Sequence, residues 1–284
     1  YVPIQHDRPA ANAALKFNAT DYLYTSASSG LNVGGGQFTM ECWVYSLAQQ
    51  GNNTPIYTHT NGGGGGQVGM YYDLNGQGLG IIYPNNSNNG DVSVYSLGDE
   101  HVQKYLSTGR WHHLAITRDA GSTLRFFLDG NLKYSAAGVS FNHAVSPTAY
   151  IGCNNDTTKL FKWGWITGCN LTGEALYTAN FTPSTTPPVT TVNTKFRLRN
   201  NNSLDVASWA EDGTGATITM YQNNRNPYTG LIRIDGTMSP WIGNNGGPLI
   251  PYGTAQAWDY EANIATYQKW ASYSTNWLDI GGAI

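Results

Sequence analysis

The 284 residues are 40% hydrophobic and only 12% charged, with a formal net charge of −3. Ordinary globular chains carry roughly 25% charged residues, so the polar surface here must come from Asn, Thr, Ser, Gly and Tyr. Without clustered Lys and Arg to displace counterions, nucleic-acid binding is excluded.

Along the chain, helical periodicity is scarce and short β-branched or aromatic runs recur between Gly and Asn clusters. This predicts an all-β protein, an antiparallel sandwich followed by a smaller, mostly irregular or β C-terminal region. Residues 1–14 read as an N-terminal arm. Phe38 to Tyr45 alternates in period two, with Phe38, Met40, Cys42 and Val44 on one face and Thr39, Glu41, Trp43 and Tyr45 on the other. Further strands are predicted at Val68 to Asp73, Leu79 to Tyr83, Trp111 to Arg118, Thr123 to Leu128, Asn131 to Ser135 and Ala149 to Gly152. Asp129-Gly130 tolerates the left-handed conformations of a type I′ turn, so Leu124 to Tyr134 is predicted as a hairpin. The glycine run Gly62 to Gly66 and the stretch Asn85 to Gly90 read as loops, either plain surface turns or sandwich-edge loops shaped for a ligand. Phe181 to Thr194 is rich in Thr and Pro without periodicity, and a linker is placed at 184–194. Beyond it, 195–284 holds Trp209, Trp241, Trp258, Trp270 and Trp277 and one helix candidate, Ala255 to Ser272. This region is expected to mediate assembly by burying its aromatics against a partner.

The chain opens on Tyr1 instead of Met and shows no signal peptide, which reads as a processed or truncated end. No apolar run approaches the roughly 20 residues of a membrane span. Three cysteines do not make a disulfide framework. Cys153 and Cys169 facing each other across a hairpin, or all three as small buried hydrophobes, stay open.

Over 15–183 the order and spacing of several pieces resemble laminin-G-like, concanavalin A-like jelly rolls. The opening is Leu15-Lys-Phe17, Tyr22-Leu-Tyr24 and Phe38-Thr-Met-Glu-Cys-Trp-Val44. Gly109-Arg-Trp-His-His-Leu-Ala-Ile-Thr-Arg118 and Leu124-Arg-Phe-Phe-Leu-Asp-Gly130 are similar to the most recurrent strand and the hairpin after it. Ala149-Tyr-Ile-Gly152 and Gly164-Trp-Ile166 are similar to the closing strands. Ala175-Leu-Tyr-Thr-Ala-Asn-Phe-Thr-Pro183 resembles the end of such domains in bacteriophage structural proteins. Where many relatives carry an acidic pair, this chain has Thr167 and Gly168, so an acid-dependent role there is not expected.

The residues give no catalytic constellation. Retaining glycosidases need two carboxylates about 5–5.5 Å apart. The glucanase pattern Glu-x-Asp-x-x-Glu is missing, Asp99-Glu100 alternates across faces if extended, and Glu41 reads as a solvated or hydrogen-bonded strand residue. His112 and His113 point to opposite faces of a strand and cannot share a metal. His59, His101 and His143 have no Glu or Cys companion at ligand spacing. No cofactor is expected, calcium excepted. Asn154, Asn155 and Asp156 could supply oxygen ligands from one loop, with Asp73 and Asp91 as further candidates.

Two functional expectations follow. One, which rests on the phage-like ending, is a non-enzymatic virion surface protein: a capsid decoration, head-fibre or tail component partnered by other virion proteins or by copies of itself in a homo-oligomer. The other is a secreted or cell-surface glycan-binding adhesin or matrix protein. Aromatic faces stack on sugar C–H surfaces and Asn amides bond hydroxyls. Tyr83 with Asn85, Asn86 and Asn88, and Trp163 and Trp165 near Asn154 and Asn155, are the candidates for contacting a host polysaccharide. A polysaccharide-degrading enzyme is the least favoured reading.

Overall fold

The computed structural model describes residues 13–17, 22–46, 50–60, 66–72, 77–85, 90–97, 111–141, 143, 146–155, 158–162, 164–184, 190–200, 209–211, 218–221 and 231–233. The strands are β1 (Ala13–Phe17), β2 (Tyr22–Thr25), β3 (Phe38–Ser46), β4 (Thr54–Thr60), β5 (Val68–Tyr72), β6 (Gly80–Asn85), β7 (Gly90–Val94) and β8 (Trp111–Arg118). They continue with β9 (Leu124–Leu128), β10 (Asn131–Ala136), β11 (Thr148–Ile151), β12 (Gly164–Thr172), β13 (Thr194–Asn200), β14 (Trp209–Glu211), β15 (Ile218–Tyr221) and β16 (Leu231–Arg233). A single 3-10 turn, Ser29–Leu31, is the one helical element among the described residues.

The strands form two antiparallel sheets packed as a jelly-roll sandwich. The first, of nine strands, runs β10-β9-β8-β3-β12-β1-β16, with β13 and β14 attached through β12. The second, of seven, runs β15-β2-β11-β4-β5-β6-β7. Period-two patterning decides what enters the space between them. From the first sheet come Phe38, Met40, Cys42, Val44, Leu114, Ile116, Phe126 and Ile166; from the second come Leu23, Ile56, Val68, Met70, Ile81 and Ile151. The hairpin at Leu124 to Tyr134 is present, and Asp129 and Gly130 hold φ of 51° and 74° as a type I′ turn requires.

β12 explains how the chain after the predicted linker is received. Its first residues pair with β1 (Ile166 opposite Leu15), and its last pair with β13 on the same edge (Leu171 opposite Phe196). The stretch at 184–194 is thus followed at once by a strand of the sandwich, and Phe196 and Leu198 lie in the main core. β15 adds to the edge of the second sheet beside β2, and β16 to β1. Trp241, Trp258, Trp270, Trp277 and the Ala255 to Ser272 helix candidate lie outside the described residues.

Candidate functional site

Two polar regions stand out, one on the outer face of each sheet. On the first sheet, residues 173–183 form a strap across β3, β8 and β9. Thr39 Oγ1 donates to the Glu174 carbonyl (2.7 Å) and accepts from Leu176 N (2.9 Å). Thr117 Oγ1 donates to the Tyr177 carbonyl at 2.8 Å, and Phe181 N donates to the Gly130 carbonyl at 3.0 Å. The Tyr177 and Phe181 rings stack at 3.6 Å and 2°, and both meet His113 and Phe127 edge-on. The motif Ala175 to Pro183 is therefore this strap.

Beneath it, Glu41 accepts from Tyr177 Oη (2.8 Å) and Asn170 Nδ2 (3.0 Å) and faces His113 Nε2 at 3.2 Å. Burial raises the Glu41 pKa, but the hydrogen bond and charge of His113, with Asn170 and Tyr177, outweigh it and hold the carboxyl below its ordinary value. His112 points the other way, to Asp129 Oδ2 at 2.8 Å, so the adjacent histidines serve separate carboxylates. Glu41 is buried and both its oxygens are engaged, which gives it the chemistry of a structural anchor.

The outer face of the second sheet is different. One row of side chains crosses it strand by strand: Tyr24 opposite Tyr150, Tyr150 opposite Thr58, Thr58 opposite Gly69, Gly69 opposite Ile82. Tyr22, Tyr24 and Tyr150 are half-buried and form a ladder of near-parallel rings, with centroids 6.0 Å apart and planes inclined by 30° and 26°. At Gly69 a Cβ would come within 2.7 Å of Thr58 Cγ2, so the buried Thr58 side chain fills the space beside the glycine. Beyond Gly69 lies a polar group. Tyr71 Oη takes part in hydrogen bonds with Asn154 and Gln67, and Gln67 N donates to Asp91 Oδ1 at 3.3 Å. Burial first, with the charges of Asp91 and Cys153, pushes the Tyr71 phenol up and keeps it a neutral hydrogen-bonding group. Thr58 Oγ1 reaches the Cys153 carbonyl at 3.4 Å, which brings the loop carrying Asn154 and Asn155 beside the ladder.

The residues nominated from sequence fall in several places. Asn154 is half-buried at this face and Asn155 is exposed next to it, while Asp156 and Asp73 lie outside the described residues. Among the described residues no three His, Cys, Asp or Glu side chains cluster as a metal site. Tyr83 points into the core beside Ile81, and its hydroxyl meets that of Tyr134 at 3.2 Å. Asn86, Asn88 and Trp163 lie outside the described residues, and of Asn85 only the backbone is described. Trp165 is on the first sheet, 4% exposed, with its ring edge-on to Tyr45. Tyr22, Tyr24 and Tyr150 were not singled out by sequence reasoning. The signal was available, because each alternates with a core residue, Leu23 between the first two and Ala149 and Ile151 around the third.

The fold and the matched segment define the class. The chain belongs to the concanavalin A-like lectin/glucanases superfamily, whose family model matches residues 17–180. No curated protein sequence matches it. Among solved structures it is similar to a putative carbohydrate-binding protein from Bacteroides ovatus (15% identity, 76% of this chain and 61% of that one, TM-score 0.48). It spans less than two thirds of that protein. It is also similar to a heptameric SAP-like pentraxin from Limulus polyphemus (15% identity, 76% and 97%, TM-score 0.43). A third is domain 4 of the extracellular arabinanase AbnA from Geobacillus stearothermophilus, solved with arabinotriose (17% identity, 54% and 69%, TM-score 0.41).

Proposed function

We propose that this chain is a non-enzymatic glycan-binding protein whose binding face is the outer face of the second sheet. The observation that carries the reading is the half-buried ladder Tyr22, Tyr24 and Tyr150 beside Asn154. Half-buried aromatic rings present apolar surface to sugar C–H groups at little entropic cost, and phenol and amide groups around them bond hydroxyls. Glu41 supports the non-enzymatic half of the reading. It is a single carboxylate sealed under a strap, whereas a glycosidase needs two that reach the sugar.

The test is a glycan array probed with the full chain, with and without calcium. Specific binding is expected, and Tyr24→Ala or Tyr150→Ala should each weaken it by about tenfold, roughly 1.4 kcal/mol. Parallel changes at Asn86, Asn88 and Trp163 probe the other nominated contacts. Binding that survives both tyrosine changes and is lost on Trp163→Ala would move the site away from the tyrosine ladder. Turnover of a polysaccharide would replace the binding reading with an enzymatic one.

A virion-surface location is the second reading. It is supported by the resemblance of the 175–183 strap to phage structural proteins and by the low charge. Its partners would be other virion proteins or copies of this chain, and the host polysaccharide would be the glycan. Antibody to the chain should then decorate purified particles. Labelling of secreted or cell-surface material instead would favour an adhesin.

A further inference from the structure

Cys42 and Cys169 both face the core and are fully buried. Their strands, β3 and β12, are antiparallel neighbours at the centre of the first sheet. Pairing of Thr167 with Trp43 and of Asn170 with Glu41 leaves Gly168 and Cys169 opposite Cys42, a bulge in which two residues face one. Gly168 takes the left-handed conformation there, with φ of 64°. Opposed residues in an antiparallel pair have Cα atoms about 4.5–5.5 Å apart. That falls inside the range of roughly 4.4–6.8 Å that a disulfide spans. The Cys169 thiol also shares a hydrogen bond with Cys42. Cys153 is placed elsewhere. It follows β11 in the second sheet and interacts with Tyr71 and Tyr150 on that sheet's outer side, so the sheet itself separates it from Cys169.

We propose that Cys42 and Cys169, which are free thiols here, form a dithiol pair that oxidises to a cross-strand disulfide. The oxidant is a low-molecular-weight disulfide such as oxidised glutathione. One cysteine thiolate attacks it, forms a mixed disulfide and releases one glutathione thiolate. The second cysteine attacks the protein-bound sulfur and releases the other. Two protein thiols become one S–S bond, one oxidised glutathione becomes two reduced ones, and the two protons lost from the cysteines pass to the released thiolates. Burial pushes the Cys169 thiol far up, so the attacking thiolate is scarce once the sheet has closed. The exchange therefore belongs to the folding chain.

The test uses the full chain made in an oxidising compartment and, separately, in a reducing cytosol, each alkylated with N-ethylmaleimide under denaturing conditions. The oxidised preparation should carry one label, on Cys153, with a linked peptide containing Cys42 and Cys169 and a mass 2 Da lower before labelling. The reduced preparation should carry three labels. Cys153→Ser should keep the bond, and Cys42→Ser and Cys169→Ser should each lose it. Reduced chain refolded in a glutathione redox buffer provides a second measurement. Three labels on chain from both oxidising routes, or a linked peptide containing Cys153, would overturn the proposal.

Discussion

Several single residues in this protein do two jobs. Gly130 closes the β9–β10 turn and also accepts the strap. Its φ is 74°, and a Cβ there would lie 1.9 Å from the Phe181 carbonyl oxygen. Gly130→Ala is expected to lift the strap and destabilise the fold by more than about 1 kcal/mol in chemical denaturation. Glu41→Ala should cost more, about 3–5 kcal/mol, because His113, Asn170 and Tyr177 lose their shared acceptor inside the protein. Arg118 is a buried cation held by carbonyls: Gly35, Gly36 and Val139 accept from it, as does Ser122 Oγ, and the Phe141 ring lies 5.8 Å away. Arg118→Lys would supply a point charge where a planar fork is needed, and a loss of thermal stability is expected.

His59 and His143 set the acid limit. Burial, then the charge of His143, lowers His59 well below its ordinary value, and burial lowers His143 to about 4. As pH falls, the unfolded chain takes up these protons before the folded one. Stability is therefore fully present above about 6.5 and is lost progressively between there and about 4. Glu41 continues the loss, since its depressed folded value makes its contribution disappear at still lower pH. Denaturation midpoints measured at pH 7.5, 6 and 4.5 should fall in that order.

Among the elements, β3 shows how far alternation carries a reader. The sequence separates Phe38, Met40, Cys42 and Val44 from Thr39, Glu41, Trp43 and Tyr45, and the structure keeps that division, the first set facing the opposite sheet. Alternation could not reveal that the second set is buried as well. Thr39 and Glu41 are covered by a strap that arrives from 135 or more residues later, and no local pattern announces so distant a contact. The same limit explains the site. Tyr83 shares a face with Ile81 and so belongs to the core by the period-two rule, yet the Asn-rich stretch after it drew attention to it as a surface residue. The tyrosines of β2 and β11 became a ladder only because β2 and β11, far apart in sequence, are paired. His59 lies on the opposite, core side of β4 from Thr58, with its ring edge-on to Phe196 at 5.9 Å. Protonating it should loosen β13 before the rest of the sheet, visible as amide exchange that speeds up on acidification more at Phe196 and Leu198 than at Ile116.

For the molecule as a whole, the late strands matter most. The family match ends at 180, but β13 fills the stretch of the β12 edge that β1 leaves open, and Phe196 packs on Tyr57 and His59. The first sheet is thus completed by residues beyond the segment that defines the family. Such a chain behaves poorly as a cassette in recombination. A gene fragment stopping at 183 would encode a sandwich with a vacant slot under Phe196 and an unpaired β12 edge. A functional graft onto another protein must extend at least through Leu198. Exchange of this domain between genes should therefore leave scars downstream of the strap, because the hydrophobic slot travels with one piece of the chain and its filling with the next.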